Sequence, residues 1–103
     1  MANQEQKNKA QTDTQTLIEQ AVLGTPGVSR LVEKQPIARG VLLTSLFGNT
    51  DIEIYVNVIY GSNIPEVSWN IQERVKEALS PDNAPEDLHI NIHIEGVDFV
   101  NAS

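Results

Sequence analysis

The segment from Asp51 to Leu79 constrains the fold more than any other, because two different hydrophobic periods meet in it across one short turn. From Asp51 to Tyr60 the chain reads DIEIYVNVIY. Ile52, Ile54, Val56, Val58 and Tyr60 point one way, and Asp51, Glu53, Tyr55 and Asn57 the other. A period of two is that of a half-buried β-strand. Gly61-Ser62 breaks the alternation, and beyond it Ile64, Val67, Ile71, Val75 and Ala78 recur at spacings of three and four, the stripe of an amphipathic helix. Asn63 is placed as the N-cap, with Pro65 in the first turn and Glu66 three residues after the cap, so the orphan amides of that turn have partners.

The remaining elements attach to this core unit. Residues 1–12 are Gln, Asn, Lys, Glu and Thr with little apolar content, and they read as a disordered polar tail. Asp13 or Thr14 caps a short helix whose Leu17, Ile18, Ala21 and Val22 share a face, and Gly24 and Pro26 stop it. Gly27 to Val32 suits a brief strand, and Glu33 to Arg39, with its proline and mixed charges, a loop. Gly40 to Phe47 reads as a strand, and Gly48-Asn49-Thr50 as the turn of an antiparallel hairpin into the main strand. Ser80 to Asp87, with two prolines, reads as a loop.

The last strand, Leu88 to Glu95, alternates again: Leu88, Ile90, Ile92 and Ile94 inward, His89, Asn91, His93 and Glu95 outward. Strand, helix and strand in this order favour a right-handed βαβ unit with parallel strands. Gly96 ends or bends the strand, and Val97 to Val100 continues it past a bulge. The expectation is one α+β domain over residues 13–100 in the order α-β-β-β-α-β, with residues 101–103 as a tail. It is a two-layer α/β sandwich, a small mixed sheet of three to four strands with two helices on one face.

Composition narrows function mainly by exclusion. The net charge of −7 disfavours phosphate backbones and anionic lipids. Without cysteine there is no disulfide framework, thiolate nucleophile or thiolate metal site. No apolar run approaches the roughly 18 residues of a membrane span, and the N-terminus has no export segment, so a soluble cytoplasmic protein is expected.

His89, Asn91 and His93 stand on the polar face of the last strand, where either histidine could pair with a carboxylate such as Glu53. Four residues apart in a strand is roughly 13 Å, too far for both histidines to share a metal ion. No Gly-rich phosphate loop, GxSxG elbow or HExxH pair occurs, and no enzyme activity, cofactor, metal or small-molecule substrate is expected. The basic residues are scattered, without the GxxG clamp or aromatic platform of RNA-binding modules, so a small RNA- or DNA-binding module is the alternative rather than the first reading. Trp69 breaks its local rule. It projects nearly opposite the apolar stripe, among Glu66, Glu73 and Lys76, and tryptophan is enriched at protein contacts. Trp69 and Glu73 on the helix, and Tyr55, His89, Asn91 and His93 on the sheet, are the candidate contact residues.

The strings IEIYVNVIYGSNIPEV, NIQERVKEAL and INIHIEGVDF closely resemble the alkaline shock protein family of Gram-positive bacteria, the envelope stress response proteins, over about residues 14–100. The resemblance extends to the first helix, the Pro26-Gly27-Val28 turn and a hairpin starting at Gly40-Val41. Two features depart from the family pattern: Trp69 stands at a usually charged or small helix site, and Glu33–Arg39 is shorter than the glycine-rich segment typical there. The resemblance implies a non-enzymatic, soluble, cytoplasmic protein that accumulates under alkaline or envelope stress. It further implies self-association and a peripheral position at the membrane through a separate membrane-anchored partner.

Overall fold

The computed structural model describes residues 14–34, 38–83 and 87–100. The expected tails at residues 1–12 and 101–103, the alternative cap Asp13, and parts of both expected loops (35–37 and 84–86) lie outside the described residues. Helix α1 covers residues 14–23. It is followed by β1 (Val28–Leu31), a 3-10 turn (Ala38–Gly40), β2 (Val41–Leu46), β3 (Asn49–Ile59), α2 (Ile64–Asn83) and β4 (Asp87–Asp98). This is the expected α+β order.

β3 is bonded along both edges. β4 runs parallel to it over its whole length, from Asn49 opposite Asp87 to Ile59 opposite Asp98. On the other edge β2 lies antiparallel to the first half (Val41 opposite Ile54, Leu46 opposite Asn49) and β1 antiparallel to the second (Leu31 opposite Val56, Val28 opposite Val58). The Val32 amide donates to the Tyr55 carbonyl at 2.8 Å, so β1 and β2 lie end to end along one edge. A parallel β3–β4 pair needs a crossover, and α2 supplies it across one face of the sheet.

The core follows the two periods. Ile52, Ile54, Val56 and Val58 are at most 1% exposed, covered by Ile18 and Val22 of α1 and by Val67, Ile71, Val75 and Leu79 of α2. Asn63 caps α2 as expected, its side-chain oxygen accepting from the Glu66 amide at 3.1 Å. Each such buried aliphatic side chain contributes on the order of 1.5–3 kcal/mol, which makes this face the main source of stability.

Several local expectations are corrected. The hairpin turn is Phe47-Gly48, one residue earlier than read, and Asn49 and Thr50 already belong to β3. Both turn residues have positive φ (52° and 82°), the handedness that a two-residue hairpin needs to match strand twist. Tyr60 lies in the turn after β3, so it leaves the core face and stacks on Phe99 with ring centroids 4.6 Å apart. Ile64, at the helix start, is exposed, and Leu79 extends the buried stripe instead.

The expected loop from Ser80 is helical through Asn83.

β4 continues to Asp98, past a bulge at which Ile94 faces Val56 and Gly96 faces Asn57, leaving Glu95 as the extra residue. A Cβ on Gly96 would lie 3.0 Å from the Asn57 side-chain oxygen. That room lets Asn57, expected at the surface, be buried.

Ile71→Ala should cost about 2–5 kcal/mol in chemical denaturation, because it empties a fully buried site. Trp69→Ala, two residues away on the exposed side of the same helix, should change stability by no more than about 0.5 kcal/mol. Equal losses at the two positions would contradict this packing.

Candidate functional site

The helices cover one face of the sheet, and the other carries the odd-numbered residues of β3. The register sets Asp51, Glu53 and Tyr55 beside His89, Asn91 and His93 of β4, and Asp51 and Glu53 beside Thr44 and Leu42 of β2. At its centre the Tyr55 and His93 rings stack at 4.4 Å with an interplanar angle of 10°. Lys34 completes this row, its Nζ 5.5 Å from the Tyr55 ring centroid and 2.8 Å from Glu95 Oε1. The Glu95 carboxylate, through that hydrogen bond and then through its charge, holds the Lys34 ammonium above its ordinary pKa.

Of the two histidines, His93 meets Glu53, the partner expected for either. Its Nε2 is 3.6 Å from Glu53 Oε2, too long for a hydrogen bond, and both atoms are shielded from solvent with no other partner among the described residues. His89 lies 3.0 Å from Asp87. The two imidazoles therefore serve different carboxylates, and among the described residues no three His, Cys, Asp or Glu side chains are grouped to hold a metal ion.

Trp69 and Glu73 sit in the other layer, on α2. Trp69 is 59% exposed. The six candidate contact residues thus divide between two opposite surfaces, the open sheet face and the outer side of α2.

A third constellation escaped the sequence reading. Asp98 accepts hydrogen bonds from Ser29 Oγ (2.7 Å), Arg30 Nε (3.1 Å) and Asn57 Nδ2 (3.1 Å), which ties the ends of β1, β3 and β4 together. The Ser29 hydrogen bond, then that of Arg30, holds the Asp98 carboxyl below its ordinary pKa. The one available signal was Asn57 itself, a poor strand former inside an otherwise aliphatic and aromatic run. Arg39 likewise clamps Glu19 through Nε and Nη2 at 3.2 and 2.9 Å, joining the start of β2 to α1.

A shallow hollow of about 210 Å³ opens at the start of α2, lined by Pro26, Gly27, Ser62, Asn63, Glu66, Val67 and Asn70, with Glu66 its one titratable group. Converging acid and base groups are not found there. Among the described residues no helix is long and apolar enough to cross a membrane.

The sequence signature of the alkaline shock protein 23 family, described by a cell envelope-related function, matches residues 8–99. The chain is 29% identical over 75 residues to the uncharacterized protein YloU of Bacillus subtilis (strain 168), covering 73% of this chain and 62% of that one. It is 38% identical over 65 residues to the uncharacterized protein Spy1535 of Streptococcus pyogenes serotype M6, covering 62% and 50%. With Spy1614 of the same organism it is 33% identical over 70 residues, covering 68% and 58%. The chain therefore spans between half and about three-fifths of the length of these curated relatives. Two solved variants of the MamM CTD share the fold, with TM-scores of 0.57 and 0.50 at 15% and 17% identity. These matches cover 89% and 86% of this chain and 97% and 98% of theirs. At such identity the likeness is one of fold alone.

A carboxyl held below its unfolded value, about 3.9, stabilises the fold above that pH and loses its contribution as pH falls through the folded value. Asp98→Ala should therefore lower the melting temperature at pH 7, and the gap from the native chain should close on acidification below about pH 3.9. A pH-independent gap in thermal melts would assign the Asp98 effect to packing instead.

Proposed function

The chain belongs to the alkaline shock protein 23 family, whose function is cell envelope-related, and from that premise we propose that it is a non-enzymatic, self-associating scaffold or adaptor of the envelope stress response. It works at the cytoplasmic side of the membrane, held there by a membrane-anchored protein partner rather than by inserting itself. Residues 13–100 act as one folding unit in this reading, flanked by the polar segments 1–12 and 101–103.

The observation that supports it best is the disposition of surface. Among the described residues one sheet face is left without helical cover, an exposed tryptophan stands on the opposite side, and the hollow at the start of α2 is shallow and poor in titratable groups. Substrate sites are concave and bring polar groups together, whereas protein contacts use flat surfaces with aromatic anchors. Nucleic acid fits this face less well, because Asp51, Glu53, Glu95 and Asp98 outnumber Arg30 and Lys34 on and around it.

Trp69→Glu should leave the circular dichroism spectrum unchanged and weaken self-association about ten-fold or more in sedimentation equilibrium. Unchanged sedimentation would remove Trp69 from the contact. The adaptor role is tested by co-pelleting, with the protein following membranes only when these carry the partner. Equal binding to protein-free lipid vesicles would contradict it.

A further inference from the structure

β4 is the longest strand of the sheet, and among the described residues it is bonded along one edge only. The opposite border of the sheet is broken, made of β1 and β2, four and six residues long, with a 3-10 turn between them. On β4, by contrast, Asp87 to Ile94 runs unbroken to the bulge, with no proline, no lysine and no charge among its inward residues. Those are the devices by which proteins blunt an exposed edge.

The helical cover also stops short over this strand. The inward residues of β3 are fully buried, while Leu88, Ile92 and Ile94 of β4 are only half-buried. Gln72 of α2 reaches the β4 main chain, its amide donating to the Ile90 carbonyl at 3.1 Å. A strand added here must therefore be apolar toward the helices and polar on the open face.

β4 itself has that pattern. A two-fold axis perpendicular to the sheet keeps each face on its own side, so a second copy of β4, antiparallel, continues both. With the axis at Ile92, Ile90 meets the second copy's Ile94, Asn91 meets its His93, and His89 meets its Glu95. With the axis at Asn91, Asp87 would instead meet the second copy's Glu95, carboxylate against carboxylate. Like charges directly opposite each other destabilise a strand pair, which rules against the Asn91 axis and selects the one at Ile92.

We propose that the free edge of β4 pairs antiparallel with β4 of a second copy of this chain, joining two sheets into one about an axis at Ile92. This rests on the self-association reading above and adds to it a main-chain contact at the border of the sheet, separate from Trp69 on the outer side of α2.

The chain has no cysteine, so single-cysteine variants report the contact directly. Residues facing each other across a bonded antiparallel pair are about 5.5 Å apart at Cα, within disulfide reach. Ile92→Cys should form a cross-linked dimer on mild oxidation, and Thr44→Cys on β2 should not. His89 is exposed, so its variants test the same register without disturbing the core. In sedimentation equilibrium at pH 7, His89→Lys should tighten the dimer and His89→Glu weaken it, each by about five-fold.

If the native chain is monomeric at every concentration, this proposal and the self-association reading fall together. If it self-associates while Ile92→Cys stays uncross-linked and both His89 variants match the native affinity, the edge pairing is wrong and the reading survives. Should Ile92→Cys melt, the opposite shifts of the two His89 variants decide alone.

Discussion

Four side chains of one strand, Ile52, Ile54, Val56 and Val58, must be kept from water, and the architecture is arranged around doing so. Their strand is bonded on both edges, by β4 on one side and by β1 and β2 in tandem on the other. Only helices can then close the face above them, and the described residues hold two with apolar stripes of the right spacing. Because α2 is also the connection between two parallel strands, its position is fixed by topology and by burial at once.

That arrangement was largely legible in the sequence because both periods are clean and because Asn63 is a strong cap. What was not legible depended on contacts between segments distant in sequence. Asn57 reads as a surface residue until Gly96, 39 positions later, makes space for it at a bulge. Ser80-Pro81 reads as a helix stop, yet the helix persists to Asn83, just past buried Leu79. Phe47 offers no hint that it will adopt a positive φ, since that demand comes from the strand register on either side.

The candidate site was legible in the same partial way. Alternation placed Tyr55, His89, Asn91 and His93 on one face, and helical projection placed Trp69 and Glu73 on another surface. Neither could reveal that Lys34, from a stretch read as loop, would lie over Tyr55 and bind Glu95. The Asp98 cluster needed the ends of three strands brought to one point. The exposed Arg30–Asp98 and Lys34–Glu95 ion pairs contribute little each, so the Asp98 cluster stabilises mainly through its part-buried hydrogen bonds from Ser29 and Asn57.

Sheet edges connect this physics to function. A strand saturated on both sides has nothing left to offer, whereas a border strand keeps a row of amides and carbonyls with no strand opposite. Amide hydrogen exchange of the full chain, followed as protein concentration is raised, reads this directly. β3 should be the slowest strand at every concentration, and β4 should slow as concentration rises. Exchange in β4 that ignores concentration while the chain self-associates, or β3 exchanging as fast as β4 throughout, would contradict this.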